Sequence, residues 1–406
     1  MIKIGKTLFG AALCLVLVSG LMANGLNLSG VGAKSAAMGG AFIGLANDPS
    51  AVFWNPAGLT QITKPTLYVY ETDLMPSGTY VNSSYGVDAR TKKRIYPSGA
   101  IAFIDPLNDR LTVGLDAYIP SGIATAWNGD QLTYFSSGTA VSWRSQFLLA
   151  TAGPFVAFKV TDTFSLGATF NVNYGYLAMD RVVLGQYSDK LHGWAVGATF
   201  GALYKPVDWF SVGATYRTSS HMTIKGTASM PALAGVMATE SGAQHSYIWP
   251  AWMGAGIAVK PFRKLTLTAD AQYTNWDKIQ YVPMMFSDAT WQSYWSPYLA
   301  LSLNWENKIQ WRFGTEYAFN STWSVRAGYY FDPSPSPAET LNILLPEMTY
   351  NAATFGLGYN AGRFTVDLGC EYLKGTAATA PAGSVGMAGT HNMNILAPNI
   401  ALTYHF

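Results

Sequence analysis

From Phe364 to Leu373 the chain alternates, with Phe364, Val366, Leu368, Cys370 and Tyr372 on one face of an extended strand and Thr365, Asp367, Gly369 and Glu371 on the other. Trp323 to Phe331 repeats the pattern, with Ser324, Arg326 and Gly328 on the second face, and so do Phe210 to Arg217 and Leu265 to Tyr273. An amphipathic helix would place its apolar residues at a period near 3.6, so these are strands. Composition says what the strands face. The chain is 49% hydrophobic, 14% aromatic and only 12% charged, against about 25% charge in water-soluble domains. Beyond the N-terminus no run of about 18 apolar residues occurs, so membrane-spanning helices are excluded. Apolar surface that is spread along alternating strands predicts a transmembrane β-barrel.

The connections agree. Short turn chemistry stands at Asn108-Asp109, Thr161-Asp162, Pro206-Val207-Asp208, 261–264, Asn320-Ser321 and Asn360-Ala361-Gly362. Between these lie longer polar or glycine-rich stretches at 73–95, 120–141, 179–189, 223–244, 276–308, 332–349 and 375–393. Short turns alternating with long loops predict about 14 antiparallel strands. At the end, Ile400, Leu402, Tyr404 and Phe406 alternate with Ala401, Thr403 and His405. A terminal aromatic on such a strand resembles the signal read by the barrel-assembly machinery; the alternative, a β-sandwich strand ending by chance in Phe, fits the aromatic content poorly.

Lys3 and Lys6, an apolar stretch from Thr7 to Val18 and small residues up to Ala23 have the form of a secretory signal peptide, expected over 1–23 with Asn24 as the first mature residue. Cys14 lies inside the apolar stretch, a poor position for lipid acylation. Cys370 is then the only cysteine, which excludes an internal disulfide or a cysteine-based metal cluster, and no metal or cofactor is expected. A net charge of +2 gives no footprint for nucleic acid, and Arg90-Thr91-Lys92-Lys93-Arg94 reads as an exposed loop.

Residues 24–63 break the alternation. They are rich in Gly, Ala and Asn, and Asp48-Pro49 and Asn55-Pro56 interrupt any long helix, so short helical turns joined by loops are expected. A solvated leader is the other reading, but Leu45, Val52, Phe53, Trp54 and Leu59 are too apolar for one. The segment needs burial, and the lumen formed by 64–406 offers it. The expected architecture is an all-β transmembrane barrel with an N-terminal, mostly helical hatch as a plug.

Gly30-Val31-Gly32-Ala33-Lys34, Met38-Gly39-Gly40-Ala41-Phe42, Ala46-Asn47-Asp48-Pro49-Ser50-Ala51 and above all Trp54-Asn55-Pro56-Ala57-Gly58-Leu59 resemble the long-chain fatty acid and aromatic-hydrocarbon transporters of the bacterial outer membrane. Asp270 to Trp276 and Arg326-Ala327-Gly328-Tyr329 resemble later motifs of that family. The resemblance implies a monomeric 14-stranded barrel in the outer membrane of a Gram-negative bacterium. It also implies a hydrophobic ligand that enters through the outer loops, and release sideways through the wall into the membrane. By position, Leu26 and Leu28 correspond to the part of the hatch that reaches the ligand, and Asn55, Pro56 and Ala57 match the hatch motif. Pro56 fixes a backbone angle there, and Asn55 can hydrogen-bond neighbouring backbone. On the residues alone, Pro120, Ser121 and Gly122 either kink their strand or end it at the outer rim; the family pattern favours the kink, and with it the lateral opening.

Alternation puts Asp270, Arg312, Glu316, Arg326, Asp367 and Glu371 on the lumen face, where a structural network bracing wall and hatch is the favoured reading. The functional alternative makes Arg144 or Arg326 the partner of a ligand carboxylate. The leading function is passive uptake of hydrophobic compounds, with long-chain fatty acids ahead of monoaromatic hydrocarbons. Two other classes compete with it. A lipid hydrolase would need a Ser, His and acid constellation, for which His192, His221, His245, His391 and His405 stand in unrelated contexts. A general porin would need an open lumen.

Overall fold

A computed structural model describes residues 25–406, so the expected signal peptide and Asn24 lie outside the described residues. The wall is a closed barrel of 14 antiparallel strands. In chain order these are β1 (Thr66–Asn82), β2 (Val87–Arg90 and Tyr96–Pro106), β3 (Leu111–Trp127), β4 (Trp143–Thr161) and β5 (Phe164–Val182). Next come β6 (Gln186–Val207), β7 (Phe210–Arg217 and Ser220–Ser229), β8 (Glu240–Trp249 and Trp252–Phe262) and β9 (Leu265–Thr274). The circle continues with β10 (Lys308–Ala318), β11 (Trp323–Asp332), β12 (Thr349–Asn360), β13 (Phe364–Thr376) and β14 (Gly389–His405). β14 pairs with β1 from Thr66↔His405 to Val81↔Thr390, which leaves no sheet edge for lipid to desolvate. None of the described helices is long and apolar enough to cross a membrane.

Alternation read from sequence matches the wall. Phe364, Leu368 and Tyr372 point outward, while Asp367 and Glu371 are buried in the lumen. The end of the barrel carrying Thr66 and Phe406 has the short turns and is therefore periplasmic. Trp209, Phe262, Trp323, Phe364 and Phe406 form an exposed aromatic belt there.

At the opposite end the strands run further than their sequence suggests. β1 continues to Asn82 and β3 to Trp127, and β5 and β6 nearly meet around Val183–Gly185, all inside stretches expected to be loops. Above the membrane outward side chains meet water, so polar residues occupy both faces and the alternation fades although the backbone ladder persists. Within 276–308 a helix over Ala289–Leu299 starts where the Asp288 carboxylate accepts from the amides of Thr290 and Trp291. It buries Trp291 and leaves Tyr294 and Tyr298 exposed.

Residues 25–62 lie inside the wall as two short helices, α1 (Ala33–Ala37) and α2 (Ala51–Trp54), and a 3-10 turn (Pro56–Gln61). Val31, Met38, Phe42, Ile43, Val52, Trp54 and Leu59 pack into one apolar core with lumen-facing wall residues such as Tyr68, Tyr118, Phe155 and Trp252. A second core above it joins Leu26 to the outer halves of the strands and the loops folded into the barrel. Glycines in the wall let the hatch backbone come close: a Cβ on Gly328 would lie 2.1 Å from the amide nitrogen of Gly39, and one on Gly213 would lie 2.1 Å from the Ile43 carbonyl oxygen. Replacement of Gly328 by Val should therefore push the hatch off β11. Limited proteolysis should cut within 25–62 while heat-modifiable migration in gels still reports a closed barrel; an uncut hatch would contradict this packing.

Candidate functional site

The hatch is fastened by polar contacts from several strands. Asn55 Nδ2 donates to the carbonyls of Ile43 (2.9 Å) and Ala202 (3.0 Å), and its Oδ1 accepts from the Ala57 amide (3.2 Å). Pro56, whose ring fixes φ, opens the 3-10 turn in front of Gly167 and Gly201 of the wall. The Asp270 carboxylate accepts from the amides of Phe42 (2.8 Å) and Ile43 (2.9 Å). Arg312 donates to the Gly39 carbonyl (2.9 Å) and lies over the rings of Trp54 and Tyr330. Ser29 donates to Glu371 (2.9 Å). Arg326 joins Glu316 (2.7 Å) and Asp367, and Lys34 of α1 reaches Glu316 at 3.5 Å. The lumen charges expected from alternation thus brace wall and hatch.

Neither proposed ligand cation reaches an apolar cavity. Arg326 is held by its two carboxylates and lines a polar vestibule of about 480 Å³ that opens near Lys64 and His405 at the periplasmic end. Arg144 faces outward, between the buried Trp143 and Ser145, and pairs with Asp180 at 3.0 Å. The run Arg144-Ser145-Gln146-Phe147-Leu148-Leu149 has no clean alternation, so parity could not be read there. Cations facing the interior that the sequence did not single out are Arg217, which donates to the Phe53 carbonyl (3.0 Å), and Arg181, which donates to the Leu299 carbonyl (2.7 Å).

The wall ladder is interrupted between β6 and β7, from His192↔Lys225 to Thr199↔Arg217, and again between β2 and β3. β2 pairs with β3 only from Pro106↔Thr112 to Ala100↔Tyr118, although β1 stays paired with β2 up to Leu74↔Tyr96. Between β3 and β4 the register shifts between Tyr118 and Ser121. One extra residue on β3 makes a bulge, and the lumen face passes from Asp116 and Tyr118 to Ser121, Thr125 and Trp127. Pro120-Ser121-Gly122 therefore sits within the strand and bends it. Its free backbone groups are met by the start of the hatch: the Leu28 amide donates to Pro120 O (3.0 Å), the Gly122 amide to Leu26 O (2.9 Å), and Ser121 Oγ to Asn27 Oδ1 (2.9 Å). The wall closes again above, where the Lys92 amide donates to Ala126 O (2.7 Å). The result is a window in the wall's hydrogen bonding, backed by residues 26–28.

Cavities lie on both sides of that segment. Leu26 lines a small pocket of about 50 Å³ with Phe147, Leu177, Met179, Ile224 and Trp249; His245 and Tyr247 are its polar members, and no Lys or Arg lines it. Leu28 lines a cavity of about 260 Å³ that includes Phe147 and reaches Leu74, Tyr96, Ile119 and Leu148 at the window. Outside, Ile119 also lines a shallow depression with Ala117, Ala150, Tyr174 and Trp194. Glu347 borders the 260 Å³ cavity, and its Oε1 has no hydrogen-bond partner among the described residues. Burial, and then Asp332 beside it, hold this loop carboxyl well above the usual glutamate range.

A family model described as outer membrane protein transport protein (OMPP1/FadL/TodX) matches residues 12–404. The chain belongs to that family. It is similar to the long-chain fatty acid transport proteins of Escherichia coli K12 (22% identity, 93% of this chain and 95% of the relative) and Salmonella typhi (23%, 90% and 89%). Its fold is similar to the toluene transporter TodX of Pseudomonas putida (TM-score 0.79, 16% identity, 94% of this chain and 99% of that one). It is also similar to a FadL homologue of Pseudomonas aeruginosa (0.73, 20%, 96% and 100%). Membership in the family and the closed barrel make the chain an outer-membrane transport protein of a Gram-negative bacterium.

Two outcomes follow. Asn55→Asp exchanges two donated bonds for a charge facing two carbonyls, which should loosen the hatch by about 3 kcal/mol, read as faster amide exchange over 42–62 with the wall unchanged. For Glu347 the raised folded value means that its contribution to stability is full below the ordinary value of 4.5 and is lost as pH rises toward the raised one. Proteolysis of the loop 333–348 should accelerate in alkaline buffer, and Glu347→Gln should abolish that dependence; equal pH sensitivity in the variant would disprove the assignment.

Proposed function

We propose that the chain carries small hydrophobic molecules passively from the cell exterior into the outer membrane. They collect in the pocket around Leu26 and leave through the window at Pro120, Ser121 and Gly122 once residues 26–28 withdraw. One observation carries this reading: the short hatch segment that walls the interior pocket also supplies the hydrogen bonds missing from β3, so a single displacement both empties the pocket and opens the wall. Asn55, Pro56 and Ala57 anchor the part of the hatch that stays in place.

Long-chain fatty acids are the leading cargo, in keeping with the curated relatives. A second cargo class, monoaromatic hydrocarbons, is favoured by the lining itself: neither the Leu26 pocket nor the window cavity presents a Lys or Arg among the described residues. An unpaired carboxylate would be costly there, so a fatty acid passes in its protonated form. The family and structural relatives are transporters and channels. We read this chain likewise as no enzyme, because His245 and His391 bond backbone carbonyls and His405 bonds Thr66, and none of these three bonds a serine hydroxyl among the described residues. The terminal strand ending at Phe406 would be the segment handed to the barrel-assembly machinery, and the closed wall works as a monomer.

Deletion of Pro120 removes the extra residue and restores an unbroken register between β3 and β4. In cells lacking the native protein, uptake of radiolabelled oleate and toluene through this variant should fall by about tenfold or more, the scale expected when a required step is blocked by 1.4 kcal/mol or beyond. Unimpaired uptake through a correctly assembled variant would refute lateral exit.

A further inference from the structure

The basic run Arg90-Thr91-Lys92-Lys93-Arg94 takes no part in the transport path, yet its place is specific. It interrupts β2 between Arg90 and Tyr96 and forms the upper edge of the window, pinned by the Lys92 amide on Ala126 O and by the Thr91 amide on Gly78 O (3.0 Å). Lys92, Lys93 and Arg94 are exposed, and none forms an ion pair among the described residues. Arg94 and Arg144 both lie close enough to the Tyr96 hydroxyl to act on it electrostatically, so the outward-facing Arg144, with its partner Asp180, borders the same patch. Ile95, 57% exposed, follows directly.

The level of this patch fixes its surroundings. The depression outside the wall brings Ile119, at the window's lower edge, together with Tyr174 and Trp194, the aromatic residues that mark the outer membrane interface on β5 and β6. The cations stand on the extracellular side of that belt, where the headgroups of the outer leaflet lie, and an exposed isoleucine beside them suits the acyl boundary. Among the neighbouring carboxylates, Glu71 opposite Gly99 and Asp73 opposite Pro97 lie on the membrane side of the run, while Asp88 on β2 and Asp130 in the turn after β3 lie on its extracellular side, and none of them pairs with Lys92, Lys93 or Arg94 among the described residues. Lysine and arginine clustered at a membrane interface attract anionic lipid, and guanidinium matches phosphate oxygens in pairs.

We propose that Lys92, Lys93 and Arg94 form a binding site for the phosphate of an outer-leaflet glycolipid, held at the upper edge of the lateral window. The lipid's acyl chains then lie against the depression below Ile119, and cargo leaving the window meets hydrocarbon instead of headgroups. The site is independent of which hydrophobic compound is carried.

Native mass spectrometry of the purified full chain in mild detergent tests this, with diphosphoryl lipid A and its dephosphorylated counterpart as probes. The wild-type protein should retain the diphosphoryl form preferentially. The triple variant Lys92→Ser, Lys93→Ser, Arg94→Ser should lose that preference by roughly a factor of five for each cation removed, and Lys92→Arg with Lys93→Arg should keep it. Heat-modifiable migration establishes that each variant is folded. Equal retention of the two lipids, unchanged retention in the triple variant, or inorganic phosphate bound as tightly as the lipid would each overturn the proposal.

Discussion

Inside a membrane, backbone amides and carbonyls must find partners within the protein, and everything distinctive about this barrel follows from how it meets that demand. Most of the junctions between its 14 strands do so with continuous or briefly interrupted ladders; between β6 and β7 the break at 193–198 is partly met by Thr218, which bonds Ala198. The junction between β2 and β3 does not, and there the partners are lent by the first residues of the hatch. The plug is thus part of the wall's hydrogen bonding as well as a filling for the lumen. Its position is fixed at the other end by Asn55, Asp270 and Arg312, which spend their polar groups on hatch backbone that would otherwise be orphaned.

Lumen charges follow the same logic. Arg326 between Glu316 and Asp367 is buried with both signs present, so this cluster carries little uncompensated charge. Such a network contributes modestly to stability but specifies geometry strongly, since removal of one member strands the others. It is confined to the periplasmic half, around the hatch. The outer half, where Leu26 sits, holds a large apolar core with Asp189, His245, Glu347 and His391 buried beside it.

Much of this was legible in the sequence, for a physical reason that also sets its limit. Within the membrane each wall strand has lipid on one side and polar lumen on the other, so period-two patterns such as 364–373 report the face directly. Where both faces meet water, as above Leu148 on β4, or where a bulge shifts the face, as at Ile119-Pro120, the pattern stops carrying that information. Arg144, outward-facing beside Asp180, lies in the first kind of place. The second explains why Pro120 could be marked as a kink without showing which side chains beyond it turn inward. Loop residues folded back into the barrel, such as Ile343 and Leu344, leave no periodic trace at all.

The window also constrains how it can open. If residues 26–28 withdraw, Pro120 O and the Gly122 amide lose their partners, and a hydrocarbon cargo supplies none in return. Opening therefore costs free energy that apolar contacts must offset elsewhere, and the smaller the displaced segment the smaller that cost. Two bonds between backbone groups and one between side chains are at stake, whereas moving the Asn55 and Asp270 anchors would expose many more. The economical motion is a local retreat of the first few described residues, with the remainder of the hatch left seated. A gate of that size suits a lumen that must release small apolar molecules without ever becoming a pore for water and ions.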